Sequence, residues 1–176
     1  MKLDNKKKIF VIGNSGCGKT TLAKRLSKKL KIDHYNLDDI YFEKKFTKKR
    51  SIEDCKKRLS ELIRGKDLWI VEGVYTNWTD LVRDEADIII WIECSVNLAT
   101  YRVFKRYFTK GIKRGESFRD FINLIKYVRS YHDIRDKTKE SKYQSFRDFL
   151  KNDSKKTIFL QGAKELKEFM YEIDEL

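Results

Sequence analysis

The sequence predicts an α/β fold in which helices cover both faces of a five-stranded parallel sheet. Apolar runs of strand length alternate with segments of helical periodicity along the 176 residues, an order typical of βαβ units. The most hydrophobic run covers residues 88–92, as expected for a central strand that is buried on both faces. A glycine-rich loop between the first strand and the first helix is the third observation, since such loops open many doubly wound domains.

The elements follow in order. The predicted strands cover residues 8–12, 34–37, 68–71, 88–92 and 156–160. Helices are predicted at about 18–31, from Ser51 to near Gly65, around 80–83, at 96–108 and at 163–171. Ser51 is the expected N-cap of its helix, with Asp54 as the capping-box partner three residues on. A long polar helical region is predicted over 117–150, with a break near 133–139. Because no repeat or linker divides the chain, we expect one domain over residues 1–176.

The first strand leads into the sequence GNSGCGKT, which matches the phosphate-binding template G-x-x-x-x-G-K-[ST]. In this template the loop amides and the helix N-terminus face phosphate, the lysine reaches the β- and γ-phosphates and the hydroxyl can bind Mg²⁺. The motif therefore predicts binding of a nucleoside triphosphate. The candidate nucleotide-binding residues are Gly13, Asn14, Ser15, Gly16, Cys17, Gly18, Lys19, Thr20 and Thr21.

The sequence gives no sign of a membrane span, a signal peptide or a cysteine metal site. No apolar run reaches the length of a membrane span, and residues 1–8 hold no apolar stretch of signal-peptide length. The three cysteines lie far apart without metal-binding spacing, which indicates reduced thiols. We therefore expect a cytoplasmic protein.

Cys17 lies inside the loop, beside Lys19 and a helix N-terminus. Both neighbours would lower the pKa of its thiol. One hypothesis is that alkylation of Cys17 blocks nucleotide binding, and the alternative is a small residue that is merely tolerated there.

Carboxylates are predicted where strands end. Asp38 and Asp39 follow the second strand and Glu72 closes the third. Phosphoryl transfer needs a carboxylate to hold Mg²⁺ and often another to accept a proton. Asp38 is the first candidate for both tasks, with Asp39 and Glu72 as the other candidates. The alternative for each is a turn residue or a helix cap, and it is weakest for Asp38.

The positive charge is unevenly distributed along the chain. From residue 102 to 151 fifteen Lys and Arg stand against six Asp and Glu, within a net charge of +13. Arg102 and Arg106 share one helix face at i, i+4 spacing, and Lys113 and Arg114 form a basic turn between glycines. Arg83 is a further candidate to reach the acceptor. Such groups can stabilise a transferring phosphoryl group, although surface positions would also account for each one singly.

Five segments carry a further signal: the phosphate loop, Tyr-x-Leu-Asp at 35–38 followed by Tyr-Phe at 41–42, WIVEGVY at 69–75, RDEAD at 83–87 and YRVFKR at 101–106. Together they resemble the small adenylate-kinase-like P-loop proteins often labelled DNA topology modulation proteins. The resemblance covers nearly the whole chain. It implies a three-layer P-loop fold with strand order 2-3-1-4-5 and an arginine-bearing helical lid at about residues 102–150.

The resemblance also implies the chemistry. The expected catalytic residues are Lys19, Asp38, Arg83, Arg102 and Arg106, and the expected Mg²⁺ ligands are Thr20 with Asp38 or Glu72. Gly162, in the turn after the last strand, is expected where such kinases bind adenine. The expected activity is transfer of the γ-phosphoryl group of ATP or GTP to a small acceptor, a nucleotide or nucleoside. The alternative is a nucleic-acid-associated P-loop NTPase, or a DNA-binding and topology-modulating protein, that uses the basic segment 102–151.

Overall fold

The computed structural model of the protein describes residues 7–44, 48–112, 117–131, 142–153 and 156–175. The strands are β1 (Lys8–Gly13), β2 (His34–Asn36), β3 (Phe42–Lys44), β4 (Lys48–Lys49), β5 (Trp69–Gly73), β6 (Ile88–Glu93) and β7 (Thr157–Gln161). The helices are α1 (Lys19–Leu30), α2 (Leu37–Tyr41), α3 (Ile52–Ile63), α4 (Asp80–Glu85), α5 (Val96–Arg106), α6 (Phe118–Arg129), α7 (Lys142–Phe149) and α8 (Gly162–Asp174). A π-helical turn, Tyr107–Gly111, extends α5.

Five parallel strands form the large sheet in the order β2-β5-β1-β6-β7. Counted along the chain without the small hairpin β3–β4, this is the predicted order 2-3-1-4-5, and the predicted α/β class is confirmed. The hairpin is an addition that the sequence did not predict. The order places the carboxyl ends of β2, β5 and β1 side by side, so the residues that follow these strands are neighbours at one edge.

Each face of the sheet carries its own buried cluster, because successive strand residues point to opposite faces. Ile9 and Val11 belong to one cluster, with apolar side chains of α1, α5, α6 and α8. Phe10 and Ile12 belong to the other, with side chains of α3, α4 and α7. This explains why the central strands read as continuous apolar runs.

Serine side chains begin three of the helices. The Ser51 hydroxyl accepts a hydrogen bond from the backbone N–H of Asp54 at 3.1 Å, as predicted for the start of α3. Ser95 and Ser117 cap α5 and α6 in the same way. Asn36 caps α2 with its side chain, and Gly18 is the N-cap of α1.

The predicted helical region 117–150 contains two helices, α6 and α7. The break predicted near 133–139 lies outside the described residues. No helix within the described ranges is both long and apolar enough to cross a membrane.

Candidate functional site

The phosphate loop, residues 13–20, joins β1 to α1 and needs glycine at two positions for steric reasons. Gly13 has φ +150° and Gly16 has φ +82°, values that side-chain-bearing residues rarely adopt. A Cβ atom on Gly13 would lie 2.1 Å from the carbonyl oxygen of Ile92, and one on Gly16 would lie 2.6 Å from that of Ala99. The loop is therefore pressed against the end of β6 and against α5.

Asn14 fixes the loop from inside. Its side chain is 2% exposed, its Oδ1 accepts a hydrogen bond from the Ser15 N–H at 2.8 Å, and its Nδ2 donates to the carbonyl of Val128 at 3.3 Å. The loop is thereby tied to α6. The ammonium group of Lys19, itself 7% exposed, donates to the carbonyl oxygen of Asn14 at 2.9 Å. This contact holds the positive charge of Lys19 against the loop.

Thr20 and Glu72 meet next to the loop. The Thr20 hydroxyl donates a hydrogen bond of 2.7 Å to Oε1 of Glu72, which is 2% exposed at the end of β5. Burial alone would raise the pKa of the Glu72 carboxyl, but the His34 ring, the Lys19 charge and the Thr20 hydroxyl outweigh it and hold that pKa below its usual value. A buried carboxylate that stays ionised beside a hydroxyl is a donor pair suited to a hard cation.

Asp38 follows β2, the strand next to β5, at the same edge of the sheet. The register pairs Asn36 with Glu72, and the Asn36 side chain accepts a hydrogen bond from the N–H of Asp38 at 2.8 Å, which starts the short helix α2. The carboxylate of Asp38 then accepts a 2.8 Å hydrogen bond from the hydroxyl of Tyr75. The structure thus brings Glu72 to Thr20, and brings Asp38 to a tyrosine that follows β5.

Tyr75 is held firmly in this position. Its ring centroid lies 4.8 Å from that of Tyr41 and 5.1 Å from that of Trp78, and its carbonyl accepts a 2.8 Å hydrogen bond from the buried Thr79 hydroxyl. Burial, together with the adjacent charge of Asp38, raises the pKa of Tyr75 well above its usual value. Tyr75 therefore stays a protonated hydrogen-bond donor throughout the neutral range.

A third tyrosine approaches from α6. Burial, the charge of Asp38 and the neighbouring Tyr41 raise the pKa of Tyr127 to about 12. Sequence reasoning assigned no function to Tyr75, Tyr127 or His34. The position of Tyr75, two residues after the end of β5, was the one signal that could have identified it.

Of the predicted arginines, Arg102 reaches the phosphate loop. Its Nη1 donates to the carbonyl oxygens of Gly16 and Cys17, at 3.3 Å each. Arg106 ends α5 as an exposed residue on the same helix. The basic turn of Lys113 and Arg114 lies outside the described residues.

Arg83 lies elsewhere, and the expectation that it reaches the acceptor is corrected. Its guanidinium contacts the carboxylates of Asp80, Asp84 and Asp153 at 3.0, 2.9 and 3.5 Å. Its carbonyl accepts a 2.8 Å hydrogen bond from Lys156, the residue directly before β7. Since α4 runs back from the end of β5 to the start of β6, Arg83 lies at the amino-terminal edge of the sheet, opposite the phosphate loop.

The structure of Cys17 favours the alternative of a small residue that is tolerated in the loop. The thiol is fully buried, and its pKa is raised rather than lowered, because burial outweighs the opposing effect of Lys19. The picture of a reactive loop cysteine is corrected accordingly.

Gly162 begins α8 with φ +88°, and space is open where its Cβ would stand. The same helix reaches the loop, since a Cβ on Gly18 would lie 2.9 Å from Leu166 of α8. Thr21 is exposed in the first turn of α1. The turn at Gly162 is thus at the edge of the sheet that carries the phosphate loop.

Among the described residues, no three His, Cys, Asp or Glu side chains converge to hold a metal ion. Mg²⁺ is commonly held by one or two protein groups, with water and substrate phosphates completing its coordination. Thr20 and Glu72 fit that pattern.

Comparisons with known proteins agree with this geometry. Residues 9–121 match the family model described as "AAA domain". The chain is 31% identical over 130 residues to the Bacillus subtilis (strain 168) protein named "Uncharacterized protein YqaC", covering 72% of this chain and 73% of that protein.

Two solved structures are also similar. A gluconokinase from Sinorhizobium meliloti 1021 matches with a TM-score of 0.56 and 14% identity, over 95% of this chain and 89% of that chain. A shikimate kinase from Acinetobacter baumannii, in complex with shikimate, matches with a TM-score of 0.47 and 15% identity, over 88% of this chain and 97% of that chain. The first of these shows that the chain shares its fold with that gluconokinase.

Proposed function

The chain belongs to the AAA-domain family, whose model it matches over residues 9–121, and on this premise we propose that it is a phosphotransferase. It transfers the γ-phosphoryl group of ATP or GTP to a hydroxyl group of a small acceptor, a nucleotide or nucleoside. The observation that carries this proposal is the 2.7 Å hydrogen bond between Thr20 and Glu72 beside the phosphate loop, with Asp38 at the end of the neighbouring strand β2. The site for the phosphoryl donor and the carboxylate for the phosphoryl acceptor then lie at the same edge of the sheet.

The loop binds the triphosphate. Its amides and the N-terminus of α1 face the phosphates, and Lys19 exchanges its contact with the Asn14 carbonyl for the β- and γ-phosphate oxygens. The turn at Gly162 receives the base, which agrees with the packing of α8 on the loop.

Thr20 and Glu72 would hold Mg²⁺. Bound Mg²⁺ would neutralise charge on the β- and γ-phosphate oxygens during transfer. Glu72 is suited to this task because its depressed pKa keeps it ionised at neutral pH. Asp38, which was the first candidate for the metal, is assigned to the acceptor instead because Tyr75 binds it.

Asp38 orients the acceptor hydroxyl and accepts its proton. Arg102, held at the carbonyls of the loop, and Arg106, one turn further along α5, neutralise charge on the transferring group. The site thus supplies a base on one side and cations on the other.

The test is incubation with γ-labelled ATP, Mg²⁺ and a panel of nucleotides, nucleosides and hydroxylated metabolites. The proposal predicts that label passes to one class of panel member faster than it is released as free phosphate. Label released only as phosphate, with hydrolysis that DNA or RNA stimulates and binding that weakens steeply with salt, would instead identify a nucleic-acid-associated NTPase.

A further inference from the structure

The His34 ring lies next to the Thr20–Glu72 pair beside the phosphate loop. Resting on the proposed function, in which Thr20 and Glu72 hold Mg²⁺, we propose that His34 is a positioning residue of that site. Its neutral imidazole carries the proton on Nε2 and, together with the Thr20 hydroxyl, sets the direction of the Glu72 carboxylate. His34 acts on the cation through Glu72 and is not itself a ligand.

The register of the sheet places the His34 ring on the far side of Glu72 from the phosphate loop. β2 runs parallel to β5, with Asn36 opposite Glu72. Ile70, two residues before Glu72, is opposite His34. Alternate residues of a strand point to the same face, so His34 and Glu72 share the face on which α1 packs. His34 therefore approaches the carboxylate from the interior of the sheet.

Two neighbours meet the same oxygen atom of Glu72. Oε1 accepts the 2.7 Å hydrogen bond from the Thr20 hydroxyl, and Nε2 of His34 lies 3.9 Å from that same oxygen. Thr20 comes from the first turn of α1 and His34 from the start of β2, so the carboxylate is approached from two separate elements. Within the described ranges both contacts fall on Oε1, which leaves Oε2 for the cation.

The ring nitrogen of His34 is buried without a hydrogen-bond partner. The side chains of His34 and Glu72 are 14% and 3% exposed, and no acceptor in the described part of the chain lies within hydrogen-bond distance of Nε2. A buried polar group without a partner costs free energy, and such groups are rare in native structures. The Glu72 charge compensates part of this cost, because the N–H dipole and the carboxylate attract each other in a medium of low dielectric constant.

A glutamate carboxylate needs such neighbours to hold one direction. Rotation about its last side-chain bond is broad and roughly two-fold, whereas Mg²⁺ demands near-ideal octahedral geometry. Residues that orient a metal ligand from behind typically contribute about ten- to a hundredfold to metal affinity. The electrostatics agree: burial raises the pKa of Glu72, and among the groups that oppose burial the His34 ring acts most strongly.

The test measures nucleotide binding and needs no acceptor. A non-hydrolysable ATP analogue is titrated in a calorimeter with excess Mg²⁺ and again with a chelator, and the two Kd values give the factor by which Mg²⁺ tightens binding. In His34→Leu, which is apolar and has no N–H group on its side chain, this factor should fall about tenfold. The Kd measured with the chelator should change less than twofold. An unchanged factor would overturn the inference.

His34→Gln tests the contact without an imidazole. Its amide nitrogen can occupy the position of Nε2, so the Mg²⁺ factor should recover to within about threefold of the wild type. Should His34→Leu not fold, as judged by circular dichroism, His34→Asn replaces it, because the shorter amide does not reach Glu72. Equal losses in His34→Gln and in the Leu or Asn variant would contradict a directed N–H group.

A double-mutant cycle shows whether His34 acts through Glu72. In the Glu72→Gln background, His34→Leu should cause no further loss of Mg²⁺-dependent affinity, since the carboxylate that the ring orients is gone. Additive losses, as expected if His34 bound the metal directly, would overturn the positioning role.

Tyr35→Phe is the matched control on the same strand. The Tyr35 side chain points to the opposite face of the sheet, and its hydroxyl contacts Asp33 and Lys66, so both Kd values should equal those of the wild type. Because no acceptor enters the measurement, failure of the proposed function is distinguishable. Mg²⁺-dependent binding that requires His34, without transfer to any acceptor, would support the inference and contradict only the phosphotransferase.

Discussion

The Thr20 hydroxyl and the Glu72 carboxylate are joined by a 2.7 Å hydrogen bond between residues 52 positions apart in the chain. Thr20 belongs to the first turn of α1 and Glu72 to the end of β5, the strand that pairs with β1. The bond therefore fixes a buried carboxylate beside the phosphate loop, which is where a metal bound to triphosphate would have to lie.

Replacing Glu72 tests this arrangement. Glu72→Gln keeps the size of the side chain but removes its charge. The Mg²⁺ concentration that gives half-maximal transfer should therefore rise tenfold or more, which corresponds to a loss of roughly 1.4 kcal/mol of Mg²⁺ binding free energy. Calorimetric titration of the nucleotide with and without Mg²⁺ provides a second readout. Glu61→Gln, at an exposed position of α3, is the control. An unchanged Mg²⁺ dependence in Glu72→Gln would assign the metal to another residue.

Gly16 should resist substitution more strongly than Gly65. Both have positive φ, but a Cβ on Gly16 would lie 2.6 Å from the Ala99 carbonyl oxygen, whereas nothing lies within 4 Å of one on Gly65. Gly65→Ala should therefore cost about 1 kcal/mol of unfolding free energy from backbone strain alone. Gly16→Ala should cost more than about 2 kcal/mol and weaken nucleotide binding more than tenfold. Equal losses in a denaturant titration would contradict the close packing of the loop on α5.

Arg83 should matter for stability and not for transfer. Its guanidinium lies 4.7 Å from the Phe149 ring and contacts three carboxylates while partly exposed. Arg83→Gln should lower the unfolding free energy by about 1–2 kcal/mol and change kcat less than twofold. Arg102→Gln should do the reverse, with impaired transfer and a smaller change in stability. A tenfold loss of kcat in fully folded Arg83→Gln would restore the original expectation.

The Cys17 thiol should react slowly with alkylating reagents. Because burial raises its thiol pKa, the thiolate fraction at pH 7.5 is below that of an ordinary cysteine, and it grows only as the pH rises towards that higher pKa. Iodoacetamide should therefore label Cys17 in the folded protein more than a hundredfold more slowly than in urea, as followed by mass spectrometry. Labelling at the rate of a free thiol would contradict the buried position.

The sheet could be predicted because its signals are local. Apolar runs locate the five strands, and the phosphate-loop motif determines where β1 ends and α1 begins. Since the strands are parallel, the motif also indicates which edge carries the site, and Asp38 and Glu72 were both placed at that edge from their positions after strands.

Which of the two carboxylates, Glu72 or Asp38, contacts Thr20 could not be predicted in the same way. Whether Glu72 or Asp38 meets Thr20 depends on strand register and side-chain direction, which no local pattern encodes. The bond between Tyr75 and Asp38, 37 residues apart, depends on the same details. The burial of Cys17 follows from the close packing of the loop against β6 and α5.

The expectation for Arg83 was wrong for a reason that the sequence contains. A residue just before a strand lies at the amino-terminal edge of a parallel sheet, and Arg83 stands five positions before β6.

The most direct test of the account is the rate of γ-phosphoryl transfer by Lys19→Ala. Removal of the main cation that contacts the phosphates should cost several kcal/mol of transition-state stabilisation, roughly 10²–10³-fold in kcat/KM. Lys28→Ala, late in the same helix, should behave as the wild type. With the accepted substrate and saturating Mg²⁺, we expect this loss in Lys19→Ala alone. Full turnover in that variant would contradict the proposed mechanism.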